Sequence, residues 1–164
     1  MILSVKNLKK TFKDGDKVLE VLKGVSFNLN KGEKVVLYSK DTRATTAFYQ
    51  IINNEIKPDS GKFNWGITTS QSYLPLDNSS FFNNKLSLVD WLRQWAKNDE
   101  EREEVYIRGF LGKMIFSGEE ALKKADVISG GEKVRCMLSK MMLAKGNLLF
   151  LDEPTNHLDL DAMV

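Results

Sequence analysis

The sequence predicts an α/β fold built around a parallel sheet, and three observations predict it. The first third alternates apolar and polar residues with a period of two. Residues 34–65 then run in the order strand, helix, strand. Near the end, Asn147-Leu-Leu-Phe-Leu151 is a buried-strand pattern that delivers two adjacent carboxylates, Asp152 and Glu153.

The early strands are Ile2 to Val5, Val18 to Leu22 and Val25 to Leu29, separated by turn chemistry at Lys13-Asp-Gly-Asp16 and Asn30-Lys-Gly-Glu33. Lys34-Val-Val-Leu-Tyr38 follows a glycine turn and suits a buried strand. Ala47, Phe48, Ile51 and Ile52 recur at helical spacing, and Pro58-Asp-Ser-Gly61 stops that helix before a strand over residues 62–65. In the middle, Ser87-Leu-Val-Asp90 outlines a capping box with Asp in place of Glu or Gln. It opens a helix with Leu88, Trp91, Leu92 and Trp95 on one face. Residues 99–104 form an acidic helix start, favoured by the helix dipole, that leads to Val105, Ile107, Phe110 and Leu111 with a solvated charged face. Ser129-Gly-Gly-Glu132 precedes a helix striped by Val134, Met137, Leu138, Met141 and Met142, methionines that read as core filling.

Composition narrows the function classes. The chain has 164 residues and 18.7 kDa, 42% of them hydrophobic and 28% charged, an average globular balance that argues against disorder. Lys and Arg number 24 against 22 Asp and Glu, so the net charge of +2 does not advertise a DNA-coating protein or a membrane clamp. Lysines 6, 9, 10, 13 and 17 do cluster, and they read as a solvated face. Reversing three of them is expected to leave any RNA partner bound. The run Leu148 to Leu151 is far short of the ~20 residues that span a bilayer. Lys6 interrupts any signal-peptide core, and the single Cys136 excludes an internal disulfide. The expectation is a cytoplasmic protein with no membrane or DNA partner.

The chemistry concentrates late in the chain. A carboxylate at a strand's C-terminal end, Asp152, suits a Mg²⁺ ion bridging phosphate oxygens, and Glu153 suits a general base for water. Ser129, Gly130, Gly131 and Glu132 stand 23 residues earlier in the chain, counting from Ser129 to Asp152. A hydroxyl and bare backbone N–H groups at a helix N-terminus favour an anion.

The run from Leu151 to Asp159 (Leu-Asp-Glu-Pro-Thr-Asn-His-Leu-Asp) resembles the Walker B strand and D-loop of ATP-binding cassette (ABC) ATPases. Ser-Gly-Gly-Glu-Lys with Asn-His-Leu-Asp looks most like the ABC-F branch, soluble two-cassette proteins that act on ribosomes, and the arrangement is similar to their second cassette. The resemblance covers essentially the whole chain. It implies a P-loop NTPase-type α/β cassette with an N-terminal antiparallel β region, a RecA-like parallel sheet and an inserted helical subdomain over residues 76–128. Residues 1–164 then form one incomplete nucleotide-binding domain. It further implies ATP and Mg²⁺ as cofactors, Glu153 as catalytic base, and Thr46 and Asp152 as Mg²⁺ ligands. Phe12 stands for the aromatic that stacks on adenine. Ser129 to Glu132 form the signature that grips the γ-phosphate held by a second cassette, and Asn156, His157, Leu158 and Asp159 form the D-loop.

Three departures accompany the resemblance. The phosphate loop G-x-x-x-x-G-K-[ST] should fall on residues 39–46. There Ser39 and Ala44 replace the fixed glycines, Thr42 replaces a further glycine usual in ABC cassettes, and Thr45 replaces the Lys. Thr46 keeps the hydroxyl, and Lys40, Asp41 and Arg43 complete the loop, with Arg43 or Lys40 as alternative sources of charge. The family's coupling Gln has no clear counterpart: Gln71 is near, but Pro75 falls on the site. Family cassettes continue beyond the D-loop with a helix, a strand and a switch histidine, whereas the one histidine here, His157, lies within the D-loop. The family's next strand inserts between the P-loop and Walker B strands. Without it, residues 35–38 and 148–151 are expected to present unpaired edges and leave the isolated chain marginal. Three functions stay open: ATP binding and hydrolysis in a tandem, ribosome-associated protein; a silent cassette completing a partner's ATP site; and a transporter's ATPase subunit.

Overall fold

The computed structural model describes residues 1–156. His157, Leu158 and Asp159 therefore lie outside the described residues. The chain divides into two compact units, Met1–Thr69 and a second beginning at Ser70.

The first unit is a three-stranded antiparallel sheet with one helix. β1 (Leu3–Asp14) and β2 (Lys17–Leu29) form a long hairpin, and β3 (Ser60–Trp65) pairs with the other edge of β1, giving the order β2-β1-β3. The two short runs read over residues 18–29 are thus one strand, bent where Gly24 adopts φ +103°. β1 is irregular too. Asn7 sits at φ +48° with its N–H on Ser26 Oγ at 2.8 Å. The register of β1 with both neighbours shifts there. This bulge inserts an extra outward residue, so Val5 and Leu8 both point inward and are buried with Leu3. Gly61 makes the bulge possible: a Cβ there would lie 2.3 Å from Asn7 O, and its φ of +88° already favours glycine.

α1 (Thr42–Ile52) buries Ala47, Phe48, Ile51 and Ile52, the four residues its spacing singles out. Phe48 meets Phe27 of β2 with ring centroids 5.7 Å apart. Two expectations fail between these elements. Residues 34–38 form no strand; Val35, Val36 and Tyr38 are 52%, 89% and 86% exposed. The apolar run says what the segment is able to bury, but a strand exists only when a neighbour supplies N–H and C=O partners, and none pairs with it among the described residues. β3 is also antiparallel to β1 rather than the third member of a βαβ unit.

In the second unit β4 (Gln71–Leu74) and β5 (Leu148–Leu151) pair in parallel from Gln71↔Leu148 to Leu74↔Leu151. The helices α2 (Leu88–Arg93), α3 (Asp99–Arg102), α4 (Glu104–Lys113) and α5 (Gly130–Ala144) lie between them in sequence. Their core joins Leu74, Phe82, Leu88, Trp91, Leu92, Ile107, Leu111 and Met137. Ser87 caps α2, accepting from Asp90 N–H at 3.1 Å, and donates its hydroxyl to Asp90 Oδ2 at 2.7 Å. Asp is too short to return to the Ser87 N–H as Glu does in a full capping box.

The acidic stretch is not one helix. α3 ends at Glu103, whose ψ of 137° breaks the run before α4. Val105 is 84% exposed because Ile107 and Leu111, four apart, take the inner face. Nor is the acidic face wholly solvated: Glu101 is buried, accepting from Lys97 N–H and from Lys145 Nζ, both at 2.9 Å. The Lys97 N–H, and then Lys145, hold its carboxyl below the usual range. A carboxyl lowered on folding contributes stability above its unfolded pKa and loses it as pH falls through the folded value. Glu101→Gln is therefore expected to flatten the loss of thermal midpoint below pH 4.5. Wild-type steepness in the variant would show that other acids govern that limb.

Cys136 is fully buried in α5, and burial pushes its thiol far up. It is expected to resist a thiol reagent in the folded chain and to react at the rate of unfolding, a built-in probe read by absorbance.

Candidate functional site

The helix N-terminus at residues 39–46 is closed by its own side chains. Asp41 is the N-cap of α1 and accepts from Arg43 N–H at 3.0 Å. Its two oxygens also take Arg43 Nε at 2.9 Å and Nη2 at 3.0 Å. The Arg43 guanidinium accordingly holds the Asp41 carboxyl below its ordinary value. Ser39 Oγ accepts from Asp41 N–H at 3.1 Å, and Thr45 Oγ1 donates to Thr42 O at 2.8 Å. A carboxylate thus sits where a phosphate loop offers bare N–H groups, and the one Arg of the loop is spent on it. Of the two alternative cations, Arg43 is thus paired with Asp41 and Lys40 is exposed. An apolar pocket of about 240 Å³ opens beside the loop between Val21, Leu22, Phe48, Leu37 and Thr45, and no charged residue lines it. The residues of this loop do not fit a triphosphate. Asp41, read from the sequence as part of the phosphate loop, stands immediately before α1 and caps it.

Phe12 lies in β1 opposite Leu19, 38% exposed, with Lys10 Nζ 5.5 Å from its ring centroid. Lys10 also reaches Asp59 Oδ1 at 3.0 Å, so this cation is already balanced.

The second unit carries an open helix N-terminus. Ser129 caps α5, accepting from Glu132 N–H at 3.3 Å, while Glu132 Oε2 accepts from Ser129 N–H at 2.8 Å. This reciprocal box is the one the S-x-x-E spacing predicts. Ser129 and Gly130 are exposed, and the first-turn N–H groups of a 15-residue helix have no partners within it. Lys123, which no motif singles out, donates to Glu132 Oε1 at 2.7 Å. Burial pushes the Glu132 carboxyl up, but Lys123 and the Ser129 N–H outweigh it and leave it lowered. Glu132 stays ionised and neutralised by Lys123, so it does not repel an anion at this end of α5.

Asp152 follows β5, buried, with its N–H on Leu74 O at 3.0 Å. Glu153 is exposed at φ +48° and accepts from Asn156 Nδ2 at 2.6 Å. The parallel pairing delivers both carboxylates at the strand's end, as the apolar run predicts. Among the described residues no group of three or more His, Cys, Asp or Glu gathers to hold a metal. Asp152 thus suits Mg²⁺ only where phosphate oxygens supply the remaining ligands. Thr46, the other expected ligand, belongs to the first unit and Asp152 to the second. Gln71 is exposed in β4 and Pro75 follows that strand.

A family model described as ABC transporter matches residues 22–156. The chain belongs to the ABC transporter family. It is an ATP-binding cassette domain of that family, and its fold agrees. It superposes on the dimeric structure of the bacterial ABC transporter cassette MJ0796 with a TM-score of 0.80 at 20% identity, covering 99% of this chain and 78% of that one. Among curated ABC relatives it is 53% identical over 163 residues to the uncharacterized ABC transporter ATP-binding protein YkpA of Bacillus subtilis, covering 99% of this chain and 29% of that protein. It is 29% identical over 162 residues to the energy-dependent translational throttle protein EttA of Escherichia coli K12, covering 99% of this chain and 28% of that protein. The chain therefore spans under a third of the length of these relatives. No helix among the described residues is long and apolar enough to cross a membrane.

Proposed function

We propose that this cassette belongs to an ABC-F-type, ribosome-associated tandem ATPase and serves chiefly by completing its partner cassette's ATP site. One contrast carries the reading. The N-terminus of α5 is capped, exposed and electrostatically neutralised, whereas the N-terminus of α1 is filled by Asp41 and Arg43. The anion-ready helix end is thus the one that, in the family, faces a nucleotide held elsewhere. Likeness to EttA, a translational throttle by name, supports the ribosome association.

A second reading, hydrolysis at this chain's own loop, is favoured by Asp152 and Glu153 at the end of β5. Steady-state ATP turnover of the intact protein separates the two. Glu153→Gln is expected to leave more than half of wild-type turnover, because that carboxylate serves the loop that Asp41 fills. Loss of nearly all turnover in that variant would instead assign hydrolysis to this chain's own loop.

A further inference from the structure

Charge is divided unevenly between the two units. The first carries 12 Lys and Arg against 7 Asp and Glu, and the second, to its end, carries 12 against 15. The strand register concentrates the excess on one face. Residues directly opposite in an antiparallel pair share a face. Lys6 is opposite Lys62, and Lys9 is opposite Lys23. Leu3, Val5 and Leu8 point inward, so these four lysines point outward with Lys13. Two acids reach this face: Glu20, opposite Thr11, and Asp59, whose Oδ2 accepts the Thr11 hydroxyl at 2.6 Å. None of the five lysines makes an ion pair among the described residues, although Lys10, on the inner side, pairs with Asp59. Like charges placed directly opposite cost stability, and two such pairs on one small sheet are a cost that a bound polyanion removes.

We propose that this outer face of the β2-β1-β3 sheet binds the backbone of double-helical RNA. The surface between Lys6, Lys62, Lys9 and Lys23 is neutral and polar, formed by Ser26, Asn28 and Asn64. Such side chains exchange hydrogen bonds with 2′-hydroxyls, which the wide, shallow minor groove of A-form RNA displays. The face is three strands broad, whereas the major groove of B-DNA admits a helix or a two-stranded ribbon. No aromatic residue lies on this face to stack unpaired bases, so contact is to backbone rather than to single strands. This proposal departs from the expectation that these lysines are merely solvated, a reading that took them in sequence order without Lys23 and Lys62. The site gives the ribosome-associated reading a contact surface, and it does not depend on which cassette hydrolyses ATP.

The test is fluorescence anisotropy of the full chain against a labelled 20-base-pair RNA duplex across a salt series. Wild type is expected to bind in the micromolar range, with log affinity falling against log salt. Combining Lys6→Gln, Lys9→Gln, Lys23→Gln and Lys62→Gln is expected to weaken binding about 100-fold at 0.1 M salt. It should also reduce the slope by about 3, as follows from losing about one counterion per phosphate contact. A thermal melt of the quadruple variant should match or exceed wild type, since the like-charge pairs are gone. The variant Lys85→Gln, Lys113→Gln, Lys124→Gln in the second unit should bind as wild type. Equal weakening in that control, an unchanged quadruple variant, equal affinity for a DNA duplex of the same sequence, or tighter binding to phosphatidylserine vesicles would each overturn the assignment. None of these outcomes bears on ATP turnover.

Discussion

In the proposed tandem protein, Ser129→Asp is expected to lower ATP turnover about 100-fold without lowering the melting temperature of the cassette. The seat at the N-terminus of α5 rests on the Ser129 hydroxyl, the N–H groups of the first turn and the positive end of the helix dipole. Asp is as good an N-cap as Ser, so the bond to Glu132 N–H survives and the helix keeps its start. Its carboxylate nevertheless occupies the anion's place, as Asp41 does on α1. Removing one preorganised donor to a reacting anion costs roughly 10²–10³ in rate, and adding a like charge costs no less. Ser129→Arg should lose similar turnover but also about 1 kcal/mol of stability, because it removes the cap. Wild-type turnover in Ser129→Asp, with the protein folded, would mean that no phosphate uses this seat.

Trp91→Ala is expected to destabilise the second unit by about 3–5 kcal/mol, the range for deleting a large buried aromatic. Trp91 is fully buried, stacked on Phe82 at 4.6 Å between centroids and edge-on to Trp95 at 4.6 Å. Its Nε1–H donates to Phe81 O at 2.8 Å, so truncation opens a cavity and leaves that carbonyl only the longer bond from Asn84 Nδ2 at 3.3 Å. A domain's whole stability is about 5–15 kcal/mol, which makes this a loss of a third or more. Trp91→Phe refills most of the cavity but loses the bond to Phe81 O, which keeps Asn84 Nδ2, so about 1 kcal/mol of the loss should remain. Trp95→Ala, at a partly buried position, should cost less than Trp91→Ala. Urea midpoints measured on all three variants give the ranking. A Trp91→Ala midpoint within error of wild type would mean that the core of Phe82, Trp91 and Leu92 does not govern unfolding.

The ion pairs at the two helix starts show why one half of the site could be read and the other could not. Ser129 and Glu132 are three residues apart and bond each other, so spacing alone predicts the box. Lys123 reaches Glu132 across nine positions, through a loop whose path no local rule gives. Asp41 and Arg43 are only two apart, yet their bidentate pairing depends on Asp41 being the cap rather than part of a loop wrapped on phosphate. Local chemistry allowed both.

By itself the sequence determined the features whose partners lie within about four residues. These are the inward face of α1 at Ala47, Phe48, Ile51 and Ile52, the caps at Ser87 and Ser129, and the short apolar strand that ends on Asp152. Helical period, capping geometry and burial of a continuous apolar run are short-range, and the residues state them directly. Tertiary structure alone decided that β3 runs antiparallel beside β1, that Val35, Val36 and Tyr38 stay exposed, and that Glu101 is buried against Lys145. It also decided that Lys6 faces Lys62 and Lys9 faces Lys23 across the sheet. A strand's partner and register are set by atoms tens of residues away, and a single bulge at Asn7 moves every later side chain to the opposite face.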